Sequence, residues 1–111
     1  MLKIFYQYIK KNKVKNGYIK RTIAKKFDKK FYLKQYPDVA KSKINPLEHF
    51  LNYGWKEGRW PRSDFDTSFY MNNNPDVVES GINPYFHYLI FGKAEGRSTG
   101  VATVATEEVF R

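Results

Sequence analysis

The residues of this chain that could do chemistry come mostly in pairs. His49 and His87 are its two histidines. Paired imidazoles invite a metal reading, because neutral imidazole is the commonest metal ligand. Yet each sits in an aromatic run, "LEHFLNY" and "YFHYLIF", with no second histidine nearby. A structural histidine donating to a neighbouring carbonyl fits that setting better. Asp38 and Asp76 each directly follow a proline. At a helix start the free N–H groups stabilise a carboxylate, so capping is expected here rather than acid–base work. Glu57-Gly58-Arg59 and Glu95-Gly96-Arg97 set an acid two residues from a guanidinium. Residues two apart on a helix do not face each other. The glycine marks a turn, and each charge is expected to reach a different partner. A clasp between the two halves of the chain is favoured over an anion-binding arginine.

The pairing has one cause. Phe27–Arg59 aligns with Phe65–Arg97 without a gap, at a period of 38, and 17 of the 33 positions are identical. Chance would give about two at ordinary composition. This is an internal repeat in the range where stacked units are usual. It also explains Asp64-Phe65-Asp66, which spells the D-x-D by which metal-dependent glycosyltransferases hold a nucleotide-sugar. Phe65-Asp66 matches Phe27-Asp28, and Lys26 precedes Phe27, so the first aspartate belongs to the linker. No G-x-G-x-x-G, phosphate-binding P-loop, H-E-x-x-H or Ser-His-Asp arrangement is present. With no cysteine there is no disulfide framework and no thiolate metal site. No catalytic constellation emerges, and neither a cofactor nor a small-molecule substrate is expected.

Each copy must be helical for these residues to be placed. Asp66 is a good N-cap for "TSFYMNN". Asn74-Pro75-Asp76 offers a cap, a proline for the first turn and a negative charge. Gly81 suits a left-handed C-cap, and Lys43 takes its place in the first copy. Asn45-Pro46 and Asn83-Pro84 start the next helices, and Gly54 and Gly92 stop them. Leu47, Phe50, Leu51 and Tyr53, and Tyr85, Phe86, Tyr88, Leu89 and Phe91, supply an apolar face at helical spacing. The expectation is an all-α fold: two tandem 38-residue repeats of short helices stacked on a shared aromatic core. Helices of about eight residues are marginal alone, so each copy needs the other. The organisation reads as a basic amphipathic arm at 1–26, repeat one at 27–62, repeat two at 63–97 and a frayed tail at 98–111.

The formal charge of +9 resides in the arm. Residues 1–30 hold eleven Lys/Arg and one acid, Asp28. Leu2, Phe5, Tyr6 and Ile9 lie at helical spacing. So do Ile19, Ile23 and Phe27, which run into repeat one and suit a cap on its exposed end. Three readings of the arm compete. It is a solvated helix that aids solubility, or a membrane-surface anchor, or a nucleic-acid grip. As an anchor, Lys3, Lys10, Lys11, Lys13 and Lys15 would meet anionic lipid, each adding about 1 kcal/mol. Lys20, Arg21, Lys25 and Lys26 continue the basic surface. Nucleic acid is disfavoured, because the body is near neutral and no recognised motif appears. There is no run of 18 apolar residues and no signal-peptide h-region. A cytoplasmic location, peripheral to the inner membrane face if the arm binds lipid, is expected.

The stretch "FDKKFYLKQYPDVAKSKINPLEHFLNYGWKEGR" followed by "FDTSFYMNNNPDVVESGINPYFHYLIFGKAEGR" resembles a bacterial tandem repeat of the form F-D-x-x-[FWY]-Y-L…P-D-V…N-P-L-x-H-[FY]-L…G-x-x-E-G-R. Such repeats occur beside glycosyltransferase domains of cell-surface polysaccharide synthesis, rhamnan-type proteins included, and in some large secreted calcium-binding proteins. The signature residues here are Asp38, Pro46, His49, Glu57 and Arg59, with Asp76, Pro84, His87, Glu95 and Arg97 in the second copy. The resemblance implies a non-catalytic accessory module whose partner is a glycosyltransferase or a fused catalytic domain. It supplies no active-site residues. No transferase domain follows Arg97, so a free-standing accessory protein and the N-terminal fragment of a larger glycosyltransferase both stay open.

Overall fold

A computed structural model describes residues 15–102, and it is helical, with no strand among those residues. Helix α1 spans Lys15–Ala24. The first copy follows as α2, Lys29–Gln35, α3, Pro37–Ser42, and α4, Pro46–Asn52, closed by a 3₁₀ turn over Gly54–Glu57. The second copy contains α5, Thr67–Asn73, α6, Pro75–Ser80, and α7, Pro84–His87. Helix α7 runs on into a π-helical turn over Tyr88–Gly92.

Local chemistry sets the helix starts. The Asp28 and Asp66 carboxylates accept from Phe31 N at 3.0 Å and Phe69 N at 2.9 Å. Asn45 Oδ1 accepts from Glu48 N, and Asn83 Oδ1 from Tyr85 N. These bonds satisfy donors that a helix N-terminus leaves unpaired. Pro37, Pro46, Pro75 and Pro84 open their helices, where a missing N–H costs nothing. Asn74 is a correction: its side chain does not cap α6. Its amide donates to Tyr70 O, and its Oδ1 accepts from Arg97. Gly81 ends α6 at φ +74°, and Lys43 ends α3 in the same left-handed region at φ +62°. Lys43 thus does what Gly81 does, against the steric preference of a residue with a Cβ.

One aromatic cluster runs through both halves. Tyr32, Phe50, Phe65, Tyr70, Tyr85 and Phe86 are buried together with Ile23, Val39 and Val77. Phe50 of α4 meets Tyr85 of α7 edge-on at 6.4 Å, and Phe65 meets Tyr85 at 4.8 Å. The buried face differs in detail from the one expected. Phe50 and Phe86 are fully buried, Leu51 and Leu89 only half-buried, and Tyr53 is exposed. Helix α1 contacts both halves. Tyr18 packs edge-on against Phe86 of α7 at 5.4 Å, while Lys20 pairs with Glu48 of α4. Ile23 is completely buried beneath this helix, so α1 spans both halves.

Each copy closes by returning to its own start. Asp28 N donates to Pro61 O at 3.0 Å, and 38 residues on Asp66 N donates to Thr99 O at 2.9 Å. Residues 98–102, read from sequence as part of a frayed tail, therefore dock on the N-terminus of α5; residues 103–111 lie outside the described residues.

Candidate functional site

Both histidines find a tyrosine hydroxyl rather than a carbonyl. His49 Nδ1 lies 2.8 Å from the Tyr32 hydroxyl, and His87 Nδ1 lies 2.8 Å from that of Tyr70. The tyrosines belong to the repeated Phe-Tyr pair, 17 residues upstream. Helices α2 and α5 carry them inward, and α4 and α7 present the imidazoles. A glycine closes each pair. A Cβ on Gly54 would fall 2.1 Å from Tyr32 Oη, and one on Gly92 would fall 1.9 Å from Tyr70 Oη. Here the missing side chain makes room for the hydroxyl. Burial, aided by the charge of Arg97, holds the His87 imidazole down to about 4, so it is neutral at pH 7. Burial likewise pushes the Tyr32 phenol up. A neutral imidazole and a neutral phenol suit a packed core.

The arginines form a clasp, and it closes within each copy rather than between them. Arg59 donates from Nη1 and Nη2 to both oxygens of Asp38 at 2.9 Å. Arg97 makes the same fork on Asp76 at 3.0 Å. The acid two residues away is not sent elsewhere: Arg59 Nε donates to Glu57 at 2.8 Å, and Arg97 Nε to Glu95 at 2.7 Å. The turn at Gly58 or Gly96 curls the chain enough for both ends to meet, which helix geometry would forbid. Asp38 and Asp76 are held below the usual carboxylate range, first by the arginine hydrogen bonds. The third side of each arginine differs. Arg59 stacks over the Tyr36 ring at 4.8 Å, whereas Arg97 donates to Asn74, which occupies the equivalent position. Two carboxylates, with a ring for Arg59 and an amide oxygen for Arg97, leave these guanidiniums committed to the fold, so neither is an anion receptor.

The remaining sequence candidates separate. Asp66 caps α5, and Asp64 pairs with Arg62 at 2.9 Å, so the two ends of the D-x-D do different jobs. Among the described residues no three His, Cys, Asp or Glu side chains gather as for a metal ion. Of the arm cations, Lys3, Lys10, Lys11 and Lys13 lie outside the described residues, and Lys15 begins α1. Lys20 is paired with Glu48, while Arg21 and Lys25 are exposed. No helix among the described residues is long and apolar enough to cross a membrane.

A feature not singled out from the sequence is a cavity of about 210 Å³ beside the π-helical turn. Lys26, Arg62 and Lys93 bring positive charge to it, and Tyr85 and Tyr88 line it. The repeat alignment carries a signal that could have found it. Tyr85, Tyr88 and Lys93 stand where the first copy has Leu47, Phe50 and Trp55.

No protein-family model, curated protein or solved structure matches this chain.

Proposed function

We propose that the chain is two equivalent copies of a short-helix unit, acting as a non-catalytic accessory module that docks or positions glycosyltransferase machinery of bacterial surface-polysaccharide synthesis. The observation that carries this reading is the duplicate use of the reactive side chains. The imidazoles and guanidiniums that catalysis would draw on are bound to tyrosines and carboxylates of their own copy, in matching geometry 38 residues apart. Such side chains serve as scaffold. The neighbourhood comes from the repeat signature, Asp38 to Arg59 and Asp76 to Arg97, and its resemblance to repeats found beside glycosyltransferases. The lysines of residues 1–26 add a means of holding the module against anionic lipid at the inner membrane face.

The test is genetic and chemical together. Deleting codons 27–102 in the source bacterium is expected to lower surface polysaccharide, and photo-crosslinkers at exposed Tyr53 and Val78 are expected to capture a glycosyltransferase. Unchanged polysaccharide with no transferase among the crosslinked products would refute it. Vesicle sedimentation checks the arm separately: equal binding to neutral and anionic vesicles removes the lipid role and leaves the docking role standing.

A further inference from the structure

The cavity beside the π-helical turn is lined from three directions. Lys26 comes from the end of α1, Arg62 and Asp64 from the linker, and Tyr85, Tyr88 and Lys93 from the last helical stretch. Arg62 is fixed in place, donating to Lys26 O at 3.0 Å and to both oxygens of Asp64. Three of its five N–H groups are thereby used, and two remain. Asp64 is the single acid of the lining and is matched by Arg62. Among the described residues, neither Lys26 nor Lys93 makes an ion pair. The lining therefore carries two uncompensated positive charges. Tyr85 is only 3% exposed, yet its hydroxyl has no hydrogen-bond partner among the described residues. Tyr85 lines the cavity together with Arg62 and Asp64.

We propose that this cavity is a binding site for a small phosphate monoester. Two ammonium groups and the spare N–H groups of an arginine are the donors that a phosphate dianion takes. The Tyr85 and Tyr88 hydroxyls add neutral donors, and Phe65 and Leu89 give an apolar wall for the esterified group. The cavity is smaller than the roughly 300–1,000 Å³ of a drug-sized pocket, which limits the ester to a compact one. The first copy cannot offer the same site, since Leu47, Phe50 and Trp55 replace both hydroxyls and the Lys93 ammonium. The π-helical turn that holds Tyr88 and Leu89 belongs to a class frequent at functional sites.

The experiment is an amide and side-chain NMR titration of the full chain with inorganic phosphate and with glucose 1-phosphate. Saturable shifts are expected at Lys26, Arg62, Tyr85 and Lys93. The double variant Lys26→Gln/Lys93→Gln changes two exposed side chains, so its thermal midpoint is expected to match wild type while affinity falls at least about tenfold. Tyr85→Phe removes a hydroxyl that holds nothing else in the fold, and it too is expected to weaken binding. Unchanged affinity in the double variant, or shifts confined to other lysines, overturns the site. Vesicles containing phosphatidic acid distinguish the source of the phosphate. Binding to glucose 1-phosphate without vesicle binding identifies a soluble ester. Vesicle binding that falls in the double variant identifies a lipid headgroup, and vesicle binding that survives it overturns that source. Failure here leaves the accessory role untouched, because that role rests on the paired scaffold contacts.

Discussion

Replacing Gly92 by Ala should destabilise the protein, although propensity alone says the reverse. Gly92 ends a helical stretch without a positive φ, and Ala at such a site would ordinarily gain about 1 kcal/mol over Gly. The new Cβ, however, would lie 1.9 Å from Tyr70 Oη and 3.1 Å from its Cζ. Tyr70 is completely buried and its hydroxyl is engaged with His87, so the ring cannot swing aside without breaking that bond. Overpacking of this kind costs about 1–3 kcal/mol, and the hydrogen bond adds about 1 kcal/mol if it is lost. After subtracting the propensity gain, a net loss of about 1–3 kcal/mol is expected, or roughly 4–8 °C in thermal midpoint per kcal/mol for a domain of this size. Urea unfolding followed by Trp55 and Trp60 fluorescence measures it, with circular dichroism as the second probe. The companion variant Tyr70→Phe removes the oxygen that Gly92 accommodates, at a cost of about 1–3 kcal/mol from the imidazole left behind. In the double variant the clash with the hydroxyl is gone. The double variant should therefore lose less than the sum of the two single losses, by about 1 kcal/mol or more. Strict additivity, or a more stable Gly92→Ala protein, would mean that the hydroxyl is not what the glycine makes room for.

Acid should act in two stages. The imidazole of His87 is depressed from 6.5 to about 4 in the fold, so stability is full above pH 6.5 and declines as pH falls toward 4, by about 3 kcal/mol at most; chemical denaturation across that window should lose this slope in His87→Gln. Below about pH 4 a further loss is expected as Asp38 and Asp76, whose carboxyls are held low by arginine, take up protons, and Arg59→Gln/Arg97→Gln should flatten it. Lys43→Gly should raise stability by about 0.5–1 kcal/mol, because it relieves a side chain from the left-handed region, and an unchanged or lower midpoint would contradict that strain. Phe86→Ala should cost about 3–5 kcal/mol and Leu51→Ala distinctly less, since the first is fully buried and the second is not; equal losses would mean the buried face has been misidentified.

What could be read from the chain was what local geometry decides. Asp28, Asp66, Asn45 and Asn83 cap helices whose first turns follow them directly, so sequence neighbours suffice to place them. Partners farther away could not be read. The tyrosine that meets each histidine is 17 residues off, and the aspartate that meets each arginine is 21 residues off. Periodicity names a face but not what it touches. Asn74 shows the same limit, because a residue poised to cap α6 is captured instead by Arg97, which only the folded turn brings near. The reach of α1 into the second half was not legible for a related reason. Adjacency pointed only to repeat one, and the added pairing of Tyr18 with Phe86 depends on a position where the two copies differ.

That last point extends to the whole molecule. Positions identical in both halves, such as the Phe-Tyr pair, the histidine, the glycine after it and the Glu-Gly-Arg turn, make the contacts that hold one copy together. Several positions that differ make contacts outside the copy. Glu48 and Phe86 are equivalents, and α1 answers one with Lys20 and the other with Tyr18. Tyr36 and Asn74 are equivalents, and the Tyr36 hydroxyl also accepts from Trp60 N at the head of the linker that joins the halves. Leu47 and Tyr85 are equivalents, and the polar one opens on the cationic cavity. The shared set supplies the scaffold, while unshared positions such as Phe86 and Tyr85 are where α1 packs and where the cationic cavity opens.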